Sequence, residues 1–222
     1  MQQVQSVEPG DDPNPALAAF DLSVAEVHER IVRPAIIAVE DVNPLSPLSA
    51  PGTRMNDEMV ARLRGVLLPK YGWELDKLND GVSRSVNLDH RIAIVPATGN
   101  EGTGHFQRGL TTKNPKGSAA FTAALKFESA GFEAIDPSGY DWKVRATNDN
   151  VQWKLWYLLH RRQGNKVYLE LSAPDHLDDS GFPRGWRTRI SIPTFEIGEP
   201  DIDVFDGNDD GDPDIDVPVR KK

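Results

Sequence analysis

The chain of 222 residues contains no cysteine. Disulfide scaffolds, cysteine-based zinc sites and thiol nucleophiles are therefore excluded, although this alone does not fix the redox compartment. No run approaches the ~18 apolar residues needed to span a bilayer, so no transmembrane segment is predicted. Met1-Gln2-Gln3-Val4-Gln5 lacks the basic start and apolar stretch of a signal peptide. A cytoplasmic location is the expectation. Five histidines (His28, His90, His105, His160, His176) show no paired metal-ligand spacing and no His-Glu-x-x-His. There is no Gly-x-Ser-x-Gly nucleophile elbow. Apolar residues are also few, at 38%. That share is below the globular average and suggests a folded body carrying extra polar sequence, while 222 residues suffice for one substantial core or two small ones.

Charge is present in quantity and unevenly placed. The formal net charge is -9, from 25 Lys and Arg against 34 Asp and Glu. Ten of the acids lie between Glu196 and Val219, where no Lys or Arg occurs, and three more lie in the first fifteen residues. Three basic residues, Arg220, Lys221 and Lys222, close the chain. Setting the two ends aside leaves 21 acidic and 22 basic residues in 16–195, so the body is nearly neutral.

Residues 1–15, Gln-rich and then Pro/Asp-rich, lack apolar periodicity and are expected to be disordered. Ser23-Val24-Ala25-Glu26 has the form of a capping box, and Val24, Val27 and Ile31 follow at helical spacing. Pro34 should kink or split that helix. The stretch 43–53, with three prolines, reads as a loop, and Asn56 as the N-cap of a second helix ending before Pro69. Residues 82–86 and 91–95 flank Asn87-Leu88-Asp89-His90 as a hairpin. A third helix is predicted from Ser118 to about Ser129. Residues 153–160 carry large side chains on both faces, as in a central strand. Gln163-Gly164-Asn165 turns into a strand at 167–171, and a loop leads to another at 186–192, which Pro193 should end, at a sheet edge. The expectation is an α+β fold: about three helices in the first 130 residues and a mostly antiparallel sheet, as an N-terminal hairpin plus a C-terminal three-stranded meander. The body would be one domain over 16–195, with a division into lobes 16–136 and 137–195 left open. Residues 196–222 would form an acidic, disordered tail.

Candidate sites are few. Gly99-x-x-Gly102-x-Gly104 follows a predicted strand, as phosphate-cradling loops do, but matches neither the dinucleotide fingerprint nor the Lys-containing phosphate loop. Lys113 and Lys116 with Ser118 would gather at a helix N-terminus, where unpaired N–H groups favour an anion. Folded together, Thr98, Gly102, Thr103, Lys113, Lys116 and Ser118 would make one anion site, with Asp89 or Glu101 as base or metal ligand. Trp156, Tyr168, Arg187 and Arg189 could stack on and neutralise single-stranded nucleic acid, although such residues are more often core or a solvated, paired face. Asp141-Trp142-Lys143 matches a nuclease-like D-x-K over three residues only. His176 with Asp175, Asp178 and Asp179 could hold a divalent ion or simply form a polar turn. Asp206-x-Asn208-x-Asp210-Gly211, with Asp214, reproduces the first half of a calcium loop but has Val217 where the bidentate Glu belongs.

The tail alternates charge with β-branched residues in Asp214-Ile215-Asp216-Val217-Pro218-Val219. A purely solubilising tail needs no such residues. Carboxylates would meet a basic surface while Ile215, Val217 and Val219 fill a row of apolar pockets. The leading expectation is a non-enzymatic binding or adaptor protein whose tail docks on a basic partner, with no cofactor. The alternatives are a phosphate- or nucleotide-handling enzyme and a single-stranded nucleic-acid-binding domain.

Overall fold

A computed structural model describes residues 5–76, 84–114, 154–178 and 180–198. Helices come first and a six-stranded, mostly antiparallel sheet follows, giving an α+β fold. Residues 5–15, expected to be disordered, are held in place. The Val7 N–H donates to the Arg189 carbonyl at 2.8 Å, and the Ser191 N–H donates to the Val7 carbonyl at 3.0 Å. Composition concealed this contact because it needs only one apolar residue lying along a distant strand. The short helix α1 (Asn14–Leu17) and a 3₁₀ turn (Ala18–Phe20) then bury Leu17 and Phe20 completely.

Ser23 caps the next helix, its hydroxyl accepting the Glu26 N–H at 3.2 Å and donating to the Glu26 carboxylate at 3.1 Å. Residues Glu26–Val32 form a π-helix that runs into α2 (Arg33–Glu40). Pro34 is the evident cause. In an unbroken α-helix its ring would collide with the carbonyl four residues earlier, and that carbonyl would lose its donor. A wider turn, in which the Arg33 N–H reaches back to the His28 carbonyl, absorbs the conflict without ending the helix.

Helix α3 (Ala50–Leu67) starts six residues before Asn56, the expected N-cap. Pro51 falls in its first turn, where a missing N–H costs nothing and the fixed φ is already helical. Met55, Met59, Leu63, Val66 and Leu67 recur at helical spacing and are buried, while Arg54, Glu58 and Arg62 form an ion-pair ladder on another face.

The strands are β1 (Trp73–Asp76), β2 (Arg84–Asn87), β3 (Ile92–Thr98), β4 (Lys154–Gln163), β5 (Lys166–Leu177) and β6 (Pro183–Glu196), side by side in that order. All neighbours are antiparallel except β3 and β4, which run parallel with Ile94 opposite Trp156 and Thr98 opposite His160. A parallel pair needs a long crossover, here residues 99–153. The helices cover one face, where Ile92, Ile94, Trp156, Leu158, Leu169, Leu171, Ile190 and Ile192 join the main core. The other face carries a second cluster of Val95, Ala97, Leu110, Tyr157 and Leu159. Both faces of β4 are therefore buried.

Strand β6 does not stop at Pro193 but continues to Glu196 as an edge strand. A proline cannot donate to a ladder, so it fits where the backbone faces outward. The free Pro193 carbonyl accepts a hydrogen bond from His28 Nε2 at 2.8 Å. With Ser6 and Val7 lying along residues 189–191, this blunts an edge fourteen residues long against strand addition. The start of the expected tail is also ordered: Glu196 pairs with Lys166, and the Ile197 N–H donates to Asn165.

Candidate functional site

The glycine-rich segment after β3 is fastened by a set of backbone and side-chain hydrogen bonds. Asn100 is its hub. The side-chain oxygen of Asn100 accepts the N–H groups of Gly102 and Thr111 at 3.0 and 3.1 Å, while its amide donates to the Gly109 carbonyl at 2.7 Å. The Gly99 N–H donates to His160, the Thr103 N–H to the Asn100 carbonyl, and the Lys113 N–H to Thr98. Residues 98–113 thus double back on the end of β3. Close approach requires two of the glycines. A β-carbon on Gly99 would overlap the Thr103 hydroxyl, and one on Gly102 would lie 2.5 Å from the Gly109 carbonyl oxygen.

Beneath this loop sits a buried ion pair. Glu170 of β5 is fully buried and Arg189 of β6 is 12% exposed. Arg189 Nε donates to one carboxylate oxygen at 2.6 Å and Nη2 to the other at 2.8 Å, a bidentate pair. The Gly104 N–H adds a third donor at 3.0 Å, and the Ser172 hydroxyl a fourth. Arg189 Nη2 also donates to the Gly102 carbonyl at 3.0 Å, and its guanidinium stacks over Phe106 at 4.2 Å. Every oxygen of Glu170 is used, so the pair joins the loop to the sheet.

Of the anion-site residues, Thr98, Gly102, Thr103 and Lys113 come together in this loop; Lys116 and Ser118, with the predicted third helix, lie outside the described residues. The amides of Gly99, Gly102, Thr103 and Gly104 already donate internally, which leaves none of the four to cradle a phosphate. Asp89 and Glu101 are both exposed, and Glu101 lies 4.0 Å from Arg108.

The nucleic-acid candidates do not share one surface. Trp156 is 7% exposed on the helix-covered face, edge-on to Phe20 at 4.5 Å. Strand alternation in β4 puts it in the core. Arg189 is taken by Glu170. Arg187 is exposed and faces Asp175 at 3.4 Å. Tyr168 is half-buried between His105 at 4.9 Å and the Arg161 guanidinium at 5.7 Å. His105, Phe106 and Arg161 were missed by sequence reasoning, since nothing local marks them as neighbours of β5.

At the β5–β6 turn, Asp178 accepts the Phe182 and Ser180 N–H groups and Arg184 Nε. The Phe182 bond and then Arg184 hold its carboxyl below the usual aspartate range. The turn is therefore a closed motif. Asp175 pairs with Arg187, and among the described residues no group of three or more His, Asp or Glu is placed to hold a metal ion. The D-x-K triplet, the half calcium loop (Asp206, Asn208, Asp210, Asp214) and the tail residues Asp214, Ile215, Asp216, Val217 and Val219 all lie outside the described residues. No helix among the described residues is long and apolar enough to cross a membrane.

Two further polar clusters serve the fold. Lys70 Nζ reaches the Asp21 carbonyl and the Glu26 carboxylate, while Trp73 Nε1 donates to the Asp21 carboxylate at 2.8 Å, tying helix start to β1. Partial burial pushes Glu26 upward, but Lys70, Ser23 and Arg30 outweigh it and hold the carboxyl below its ordinary value. On the second sheet face, burial raises the Tyr157 phenol well above its usual value, against the pull of the Arg84 charge. No family model, no curated protein and no solved structure matches the chain.

Proposed function

We propose that this chain is a non-enzymatic binding or adaptor protein of the cytoplasm, a single domain whose acidic, Ile/Val-punctuated tail docks on a basic partner. The observation that carries the reading is the segregation of charge: ten acids in one C-terminal stretch without a Lys or Arg, on a body balanced at 21 acidic and 22 basic residues. Carboxylates such as Asp214 and Asp216 supply steering toward a basic surface, and Ile215, Val217 and Val219 supply buried area. The body contributes a fixed departure point, because Glu196 is paired with Lys166 and Ile197 is bonded to Asn165.

The enzyme alternative, built on Lys113, Lys116 and Ser118, stands behind because the glycine-rich segment that would join them has its amides of Gly99, Gly102, Thr103 and Gly104 engaged. Single-stranded nucleic-acid binding stands third, reduced to the surroundings of Tyr168. The test is co-purification with the full chain, with 200–222 deleted, and with alanine at Ile215 and Val217. Loss of a basic partner in both variants is the expected result. Retention of the partner in both overturns the tail reading, and a gain in DNA or RNA binding on deletion would favour the third.

A further inference from the structure

The three arginines of β6 all hold carboxylates: Arg184 holds Asp178, Arg187 holds Asp175 and Arg189 holds Glu170. Arg161 of β4 is different. Its guanidinium lies over the Tyr168 ring at 5.7 Å, and among the described residues no carboxylate pairs with it. The side chain is half-buried, and Nη1 is shut away from water without an acceptor. A desolvated, charged N–H left unpaired costs free energy that a carboxylate would recover. Tyr168 is itself fixed. A β-carbon on Gly104 would lie 3.5 Å from that of Tyr168, and the His105 ring sits 4.9 Å away. Arg161 is therefore a cation on a rigid platform rather than on a free surface arm.

The acidic tail leaves the sheet beside this platform. Arg161 stands opposite Tyr168, and Lys166, two residues from Tyr168, stands opposite Glu196. Residues directly paired, or two apart on one strand, share a face, so Arg161, Tyr168, Lys166 and Glu196 lie on one side of the sheet. The Lys166–Glu196 ion pair at 3.1 Å and the Ile197 N–H bond to Asn165 fix the point of departure. From Glu196 to Arg161 is two strand spacings and two residues, roughly 12 Å. Asp201, five positions beyond Glu196, can lie up to ~17 Å from it. We propose that the proximal tail, which begins at 199 outside the described residues, docks in cis on this surface. The carboxylates of Asp201 and Asp203, alternate positions of one extended stretch, are the missing acceptors of Arg161.

Position and charge select this occupant. From Glu196 the tail carries ten acids before its first basic residue, Arg220. The nearby carboxylates Glu170 and Glu196 are neutralised by Arg189 and Lys166, so they oppose it little. Docking is also intramolecular. A short tether supplies an effective concentration on the order of millimolar, so one or two ion pairs suffice without the area a separate partner would need. The contact uses none of residues 214–219 and does not rest on their docking to a basic partner. It covers the side of Tyr168 that single-stranded nucleic acid would need.

The Arg161 side-chain Nε–H and the Tyr168 amide report docking by NMR. Their resonances should differ between the full chain and a chain with 199–222 deleted. Asp201→Asn with Asp203→Asn in the full chain should move them to the deleted-chain positions and leave the thermal midpoint unchanged. The absence of native cysteine permits a single nitroxide on Gly207→Cys. The label should broaden the amides of His105, Arg161 and Tyr168. The Asn pair, Arg161→Gln, or salt raised to ~0.5 M should each cut that broadening by about twofold or more, whereas proximity from tethering alone would survive all three. Identical resonances in the full and deleted chains, or broadening untouched by the Asn pair, overturn the proposal. Shifts that grow with protein concentration would make the occupant a second copy's tail. An oligo-dT probe that moves Arg161 equally with and without the tail would make it nucleic acid, and either result overturns docking in cis. Residues 214–219 are unchanged in both tail variants, so partner docking and this contact can fail separately.

Discussion

Glu170→Gln is the most informative single change to the body. Glu170 is fully buried and accepts from Arg189 Nε, Arg189 Nη2, Gly104 N–H and Ser172 Oγ–H, all four of them donors. A glutamine keeps the shape but has one acceptor oxygen, and its amide must face at least one donor. The Arg189 guanidinium, 12% exposed, loses its counter-charge. Breaking a buried pair by removing one partner costs ~3–5 kcal/mol. At ~2–4 °C per kcal/mol for a chain of this size, the thermal midpoint should fall by roughly 6–20 °C. Glu170→Leu with Arg189→Met should recover much of the loss, because apolar replacements of a buried pair are often neutral. Recovery should stay incomplete. The Gly104 N–H and Gly102 carbonyl lose their partners, at ~1–3 kcal/mol for each buried group left unsatisfied. Urea unfolding of the wild type, both single variants and the double gives the coupling energy. Hydrogen exchange at 99–112 locates it, since loosened loop amides are the local signature. A loss below ~1 kcal/mol with unchanged loop exchange would refute the idea that the pair fastens the loop, because a broken buried pair cannot be that cheap.

Further outcomes follow from the same geometry. Gly65, inside α3 with nothing within 4 Å of where a β-carbon would sit, should gain ~0.5–1 kcal/mol as alanine, whereas Gly99→Ala should lose ~1–3 kcal/mol against Thr103; urea midpoints of equal sign would contradict this. The Thr103 hydroxyl is buried and has no hydrogen-bond partner among the described residues, so Thr103→Val should stabilise by ~1 kcal/mol, and a destabilised variant would reveal a partner. Asp178 is held below its unfolded value, so its contribution is complete above that value and is lost as pH falls through the lowered folded one. Asp178→Asn should flatten that acid limb of stability, and an unchanged limb would contradict it. Tyr157 shifts the opposite way: its contribution is complete below the unfolded phenol value of ~10 and is lost as pH rises beyond it. Tyr157→Phe should therefore hold stability better than wild type at alkaline pH, as equilibrium unfolding across that range would register.

What was legible in the sequence follows the range of the interactions involved. The cap at Ser23 depends on residues three apart, and the apolar faces of α3 and β4 on periods of 3.6 and 2, so local pattern was enough for an α+β reading with a mostly antiparallel sheet. Strand β1 escaped because Trp73–Asp76 is four residues long and alternates only twice. The early start of α3 escaped because Pro51 weighs against a helix everywhere except in its first turn. The parallel pairing of β3 with β4 is a relation between segments more than fifty residues apart, and no local pattern encodes a crossover. The site suffered most. A glycine-rich segment after a strand looks the same whether its amides await an anion or are already taken, and the difference lies in Asn100, Glu170 and Arg189. Asn100 is an ordinary loop residue by composition, and Glu170 and Arg189 read as alternate positions on a solvated strand face. Their roles appear only when β5 and β6 are paired with Glu170 opposite Ser191 and the loop is laid over them. The same logic separates Leu45 from Leu63. Both are leucines near helices, but one belongs to a repeat that a core absorbs, and the other sits at the tip of a proline-fixed turn where the fold offers it nothing to touch.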